Sequence, residues 1–213
     1  MVVKVALVVS NLRSGGVTEV VHRIIEGYLD SKKIISKSSV EISILSIRDD
    51  NFNSNKYPGF NSVTVNKMSW DNIGDYNFDV WNFHGPFATV FGWFLKFFRF
   101  KKSGKFVSTV HSDFMLDFEH SFKPTQCFIL KHSYTMCMRY MEENSCVAPF
   151  INAKYQGHKF LIKKIIPNTT NLITTVRRED LFDNQHFNFV FIGGVTKLKN
   201  VKFLVEVFNL LPA

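Results

Sequence analysis

The amino-acid sequence predicts an α/β fold in which a parallel sheet carries helices on both faces, followed by the start of a second βα segment. Two observations lead there. Short β-branched, apolar runs alternate with longer stretches whose apolar residues recur at helical spacing, the pattern of repeated βαβ units. The composition, 46% apolar with 23 phenylalanines and only 6 prolines in 213 residues, supplies a large core and excludes a disordered or low-complexity chain.

The elements follow in order. Residues 2–10 read as the first strand, and 11–16 as a polar loop. The next stretch places Val17, Val20, Val21, Ile24, Ile25 and Tyr28 on one helical face, with Glu19, Arg23 and Glu26 elsewhere. Residues 41–47 are the second strand, and 62–66 a short third after a polar loop with a Pro58-Gly59 turn signal. Residues 79–83 and 105–110 are buried strands, each running into a histidine, His84 and His111. Ligands of open parallel sheets gather at the carboxyl ends of strands, so both histidines are candidate site residues. Between them, 87–100 reads as an aromatic helix with Phe87, Phe91, Phe94, Leu95 and Phe98 near one face. A core stripe is the expectation for it. The alternative is peripheral contact with an anionic membrane, through the basic residues Lys96, Arg99, Lys101, Lys102 and Lys105.

Further along, 127–144 reads as a helix, and 146–151 and 163–168 as strands. Residues 169–187 turn polar and charged, as a linker does. Residues 189–192, Gly193-Gly194 and the apolar face Val201, Leu204, Val205, Phe208 and Leu211 begin a second βα unit.

The net charge of +8 suits polyanionic partners such as nucleotide diphosphates or anionic lipid, or serves solubility alone. No nucleic-acid-binding motif accompanies it. Cys127, Cys137 and Cys146 lack C-x-x-C spacing and read as reduced thiols, with no metal expected. The first residues lack the pattern of a secretory signal, which predicts a cytoplasmic chain.

Four segments carry a resemblance. Gly15-Gly16-Val17-Thr18-Glu19 follows the first strand, and Thr109-Val110-His111-Ser112-Asp113 closes another. Ile166-Pro167-Asn168 comes next, then Phe191-Ile192-Gly193-Gly194-Val195-Thr196-Lys197-Leu198-Lys199-Asn200. In order and spacing they resemble glycosyltransferase family 4, whose GT-B fold sets two Rossmann-like domains across a cleft. The resemblance spans nearly the whole chain. It implies an acceptor-side domain over 1–168, a linker over 169–187 and the first unit of a donor-binding domain over 188–213. It also implies sugar transfer from a nucleotide-sugar to a glycan or lipid-linked acceptor, retaining and metal-independent, in cell-surface polysaccharide synthesis. No cofactor is implied.

Under that resemblance His111 is the cleft side chain meeting sugar or acceptor hydroxyl, suited to hydrogen bonding or acid–base work near neutral pH. His84 and Asn168 are expected on the acceptor side of the cleft. The backbone N–H groups of Gly15 and Gly16 would approach a phosphate at a helix N-terminus, the alternative being a tight turn. Glu19 should then point away from it. Lys199 matches the family's diphosphate-neutralising lysine, but Gly194 stands where an arginine is usual, and the E-x7-E donor motif has no counterpart before Ala213. The expectation is therefore a chain cut short of its donor pocket.

Other functions fit less well. A dinucleotide-dependent oxidoreductase needs G-x-G-x-x-G in the first loop, and Ser10-Asn11-Leu12-Arg13-Ser14-Gly15-Gly16 does not supply it. A non-catalytic accessory or remnant subunit, binding a partner transferase or a membrane, would leave an uncovered apolar patch around residues 201–211.

Overall fold

A computed structural model of the chain describes residues 2–13, 15–34, 40–49, 51–98, 103–156, 162–168 and 200–210. The chain divides into two units, residues 1–170 and 171–213.

The first unit is built on strands β1 (Val3–Val9), β2 (Val40–Ser46), β3 (Thr64–Lys67), β4 (Val80–His84), β5 (Lys105–Val110), β6 (Glu143–Cys146) and β7 (Ile162–Ile165). All pair in parallel, in the order β3-β2-β1-β4-β5-β6-β7. The chain enters at β1, moves outward to β3, then returns past β1 to β4 and continues to β7. This is the Rossmann-like arrangement the sequence predicts. Its direction reverses between β1 and β4, which leaves a crevice at the carboxyl ends of those strands.

Parallel strands need helical crossovers, and these cover both faces. Helix α1 (Gly16–Ile34) sends Val21 and Ile25 onto Leu7, Val9 and Ile44, joined by Tyr57 and Phe60 of a 3-10 turn. Helix α2 (Pro86–Phe97) packs Ala88 and Leu95 on the opposite face with Ala6, Val8, Trp81 and Phe83. Side chains alternate along a strand, so Leu7 and Val9 belong to one core and Ala6 and Val8 to the other.

Helix α2 turns differently from the aromatic stripe expected of it. Its sheet-facing residues are small, Ala88, Thr89 and Gly92, together with Leu95. The rings of Phe91 and Phe94 lie 5.3 and 5.4 Å from that of Trp70, while Phe87, Phe97 and Phe98 are about half exposed. Close approach is the reason: a Cβ on Gly92 would fall 2.6 Å from the Phe83 ring. Only glycine lets the helix sit there.

Residues 114–165 also depart from expectation. Helix α3 (Phe114–Ser121) precedes α4 (Pro124–Tyr140), so the expected helix over 127–144 starts and ends earlier. The strand expected at 146–151 is β6, which ends at Cys146. Pro149 then opens α5 (Pro149–Lys154), because its ring suits a first helical turn and offers no N–H to a ladder. Val110, Phe114, Tyr134, Met138, Cys146 and Ile151 form the core of this half. Cys127, Cys137 and Cys146 are buried free thiols, and burial pushes Cys137 up to about 12.

In the second unit, α6 (Val201–Phe208) is amphipathic, and Phe203, Val205 and Leu210 are mostly exposed. The linker over 169–187, the strand over 189–192 and Lys199 lie outside the described residues. Among the described residues no helix is long and apolar enough to cross a membrane.

The contact at Gly92 gives a test of opposite signs. Gly92→Ala should destabilise by about 1–3 kcal/mol through overpacking on Phe83. Gly27→Ala, in exposed mid-helix where an added Cβ meets nothing within 4 Å, should stabilise by about 0.5–1 kcal/mol. Urea unfolding of the two variants against wild type reads both.

Candidate functional site

The carboxyl edge of the sheet brings His84, His111 and Asn168 together, and backbone chemistry fixes the first of them. Val9, His84 and Thr109 are cross-strand partners at the ends of β1, β4 and β5. Immediately after His84 the chain turns through Gly85, whose φ of 84° lies in the left-handed region that favours glycine. Gly85 donates its N–H to the Thr109 carbonyl at 3.2 Å. Its own carbonyl accepts from the Thr89 N–H and Oγ1, at 3.1 and 2.9 Å. His84 is thereby held between a strand end and a pinned helix start.

His111 is fixed from the other side. Two residues on, Asp113 caps α3 by accepting from the Leu116 N–H, and it also accepts from Tyr155 Oη at 2.5 Å and pairs with Lys154. The Tyr155 ring stacks on Phe114 with centroids 4.9 Å apart. Helix α5 thus clamps the segment that carries His111.

The two histidines are hydrogen-bonded to each other, His84 Nδ1 to His111 Nε2 at 3.0 Å. Burial pushes His84 down to about 3, with the neighbouring His111 adding to it, and burial brings His111 to about 4. Both rings are therefore neutral near pH 7. A neutral His111 acts as a hydrogen-bonding group, one of the two roles the sequence suggests for it. The outer nitrogens, His84 Nε2 and His111 Nδ1, are buried and find no partner among the described residues. One N–H lies in the shared bond, so the ring that donates it keeps a bare acceptor outside, and the other ring keeps a donor. The pair presents one donor and one acceptor, and swapping tautomers exchanges them.

His84 lines a small cavity of about 70 Å³ with Arg23, Asn82, Thr109, Val147 and Asn168. Asn168 is therefore brought to the same cavity as His84, while His111 stands next to it through the imidazole bond. Thr109 Oγ1 donates to Asn82 Oδ1 at 2.9 Å and lies 3.1 Å from Ser145 Oγ, a polar row across three strands. Arg23 meets Glu19 at 3.0 Å and Glu26 at 2.7 Å. Glu19 thus reaches along the helix to Arg23, one turn on. The sequence reading did not single out Arg23, Asn82 or Thr109 as site residues. Thr109 opens the segment that carries His111, and Asn82 shows as a polar residue inside the apolar run Val80-Trp81-Asn82-Phe83.

Gly15 and Gly16 do not line that cavity. They form the loop end and first residue of α1, where the Gly15 carbonyl accepts from the Glu19 N–H and Thr18 Oγ1 donates to the Arg13 carbonyl at 2.6 Å. Neither has a positive φ, and a Cβ on Gly16 would meet nothing within 4 Å. The turn itself does not require glycine at position 16.

Of the remaining histidines, His22 is buried and accepts from the Gly59 N–H at 3.3 Å, a packing role. His120 and His132 are exposed, and His158 and His186 lie outside the described residues. Among the described residues no group of three or more His, Cys, Asp or Glu is placed to hold a metal ion.

The histidine pair makes stability depend on pH with a definite sign. In the unfolded chain both rings titrate near pH 6.5. In the folded chain they do so at about 3 and about 4. Their contribution is complete above about pH 6.5 and is lost as pH falls toward the folded values. Between pH 7 and 5 the unfolding free energy should drop by on the order of 4 kcal/mol, about half from each ring. That slope should flatten in His111→Gln, as read from urea midpoints across the range. The paired carboxylates Asp49 and Asp113 are held below their ordinary range and titrate beneath this window.

Compared with known proteins, the sequence matches no protein-family model and no curated protein.

Proposed function

We propose that the chain is the acceptor-side part of a GT-B-type glycosyltransferase. It would serve transfer of a sugar from a nucleotide-sugar to a glycan or lipid-linked acceptor, on the cytoplasmic side of cell-surface polysaccharide synthesis. The observation that carries the reading is the neutral histidine pair at the topological switch point of a parallel sheet. A sugar hydroxyl both donates and accepts, and this pair offers one of each from buried nitrogens that find no partner among the described residues. The polar row of Asn82, Thr109 and Ser145 extends the same neutral chemistry beside it.

In this role His111 and His84 orient the acceptor hydroxyl by hydrogen bonding. Gly15 and Gly16 leave backbone N–H groups of the α1 start open to a phosphate. Lys199 is retained as a donor-side residue on the motif alone. The exposed rings of Trp70, Phe97 and Phe98, followed in sequence by Arg99, Lys101 and Lys102, support peripheral contact with anionic lipid.

A second reading, a non-catalytic accessory subunit, is favoured by the exposed apolar residues Phe203, Val205 and Leu210 of the second unit.

Saturation-transfer NMR with methyl glucoside, methyl mannoside, UDP-glucose and GDP-mannose separates the two. The glycosyltransferase reading expects a signal from at least one glycoside, weakened about ten-fold in His84→Ala or His111→Ala, each deleting a hydrogen bond to the sugar. Gly16→Ala should weaken the nucleotide-sugars and leave the melting temperature unchanged. Absence of saturation transfer to all four ligands in the wild type overturns the reading and leaves the accessory one.

A further inference from the structure

Three basic side chains project from the carboxyl ends of three neighbouring strands on the other side of the switch point. Arg13 follows β1, Arg48 follows β2, and Lys67 ends β3. Together with Asn11 and Asp49 they line a cavity of about 300 Å³, larger than the one beside His84.

The backbone beneath is rigid. Register pairs Val9 with Ser46 and Ser46 with Lys67, so the three ends lie side by side at strand spacings of about 4.8 Å. Ladder-like bonds continue past the strands: Ile47 N–H to Val9 O, Arg48 N–H to Ser10 O, and Met68 N–H to Ser46 O, at 3.0, 3.0 and 2.7 Å. Arg13 is tied at both ends of its peptide, its N–H to Asn11 Oδ1 and its carbonyl to Thr18 Oγ1. The Arg48 guanidinium lies over the half-exposed Phe87 ring at 4.4 Å, which restricts a side chain that is otherwise costly to order.

Charge is in excess there. Among the described residues the one carboxylate lining the cavity is Asp49, 3.9 Å from Arg13 and itself accepting from the Asn51 N–H and Nδ2. Three cations against one anion leave two positive charges, and no described carboxylate lies within 4 Å of Arg48 or Lys67. The cavity at His84 is the reverse case, because its Arg23 is flanked by Glu19 and Glu26. An anion entering the carboxyl edge is drawn to the β1–β3 side.

We infer that the cavity between Arg13, Arg48 and Lys67 is a binding site for the phosphate monoester of a small soluble molecule. A dianionic phosphate matches the two uncompensated charges, and the guanidinium fork supplies paired N–H donors to its oxygens. This site stands independently of the histidine pair and of the sugar-transfer reading.

Calorimetry at low salt, with inorganic phosphate, glucose 6-phosphate and glucose as probes, tests it. Phosphate and glucose 6-phosphate should bind the wild type and glucose should add nothing at this cavity. Binding should weaken at least about ten-fold in the double variant Arg48→Gln, Lys67→Gln and fall steeply with added salt. All three cations are exposed, so circular dichroism should show the variants folded. His111→Ala should leave the phosphate affinity unchanged, which separates this site from the imidazole pair. Equal affinity in the double variant, or no binding of either phosphate by the wild type, overturns the inference. So does binding that appears only on phosphatidylserine vesicles in sedimentation and is lost in the double variant, which assigns the cations to a membrane surface.

Discussion

Strand β1 is paired along its length with β2 and, from Val5 to Val9, with β4, and that double pairing sets the position of the strand-end side chains of the first unit. Because β2 and β3 lie to one side of β1 and β4 to β7 to the other, successive loops leave β1 and β4 in opposite directions. Side chains at the two strand ends then face a gap that neither crossover fills. The gap is a consequence of strand order. Any sequence adopting this order acquires it, and what differs is the chemistry placed around it.

Here the chemistry is divided. On the β4–β5 side it is neutral and largely buried: two imidazoles share a hydrogen bond, and Asn82, Thr109 and Ser145 form a row without formal charge. On the β2–β3 side it is cationic and exposed, with Arg48 propped on an aromatic ring. Loop geometry explains the contrast. His84 belongs to a strand and inherits the dryness of the core, whereas Arg48 lies past the end of its strand in water. Desolvation keeps the imidazoles uncharged, and hydration lets the guanidinium and ammonium stay charged without burying an ion.

Much of the sheet was legible in the sequence because β-branched runs are local signals. The strands over 3–9, 40–46 and 105–110 fall within a residue of their expected bounds for that reason. Strand-end placement made His84 and His111 candidates, but their mutual bond depends on the register of β4 against β5, a fact spread over 27 positions and invisible to periodicity. Helix α2 misled because phenylalanines dominate any apolar stripe, whereas the constraint there was the absence of a side chain at Gly92. Arg23 reads as a residue of the helix's polar face, and no local pattern marks Arg48 or Lys67. Only the sheet order gathers such residues into pockets.

The buried thiols give the molecule an internal clock. Cys127, Cys137 and Cys146 sit on α4 and β6, within the half of the sheet that carries His111, and each is shielded from solvent in the folded chain. Cys146 is further engaged through its Sγ with the Ala148 carbonyl, and the raised pKa of Cys137 leaves it almost wholly as the unreactive thiol. Cys127 lines a surface cavity with Phe128 and Lys131, but alkylation at Cys137 and Cys146 must wait for that half of the sheet to open. Cys137 and Cys146 thus read how often the wall behind the histidine pair comes apart.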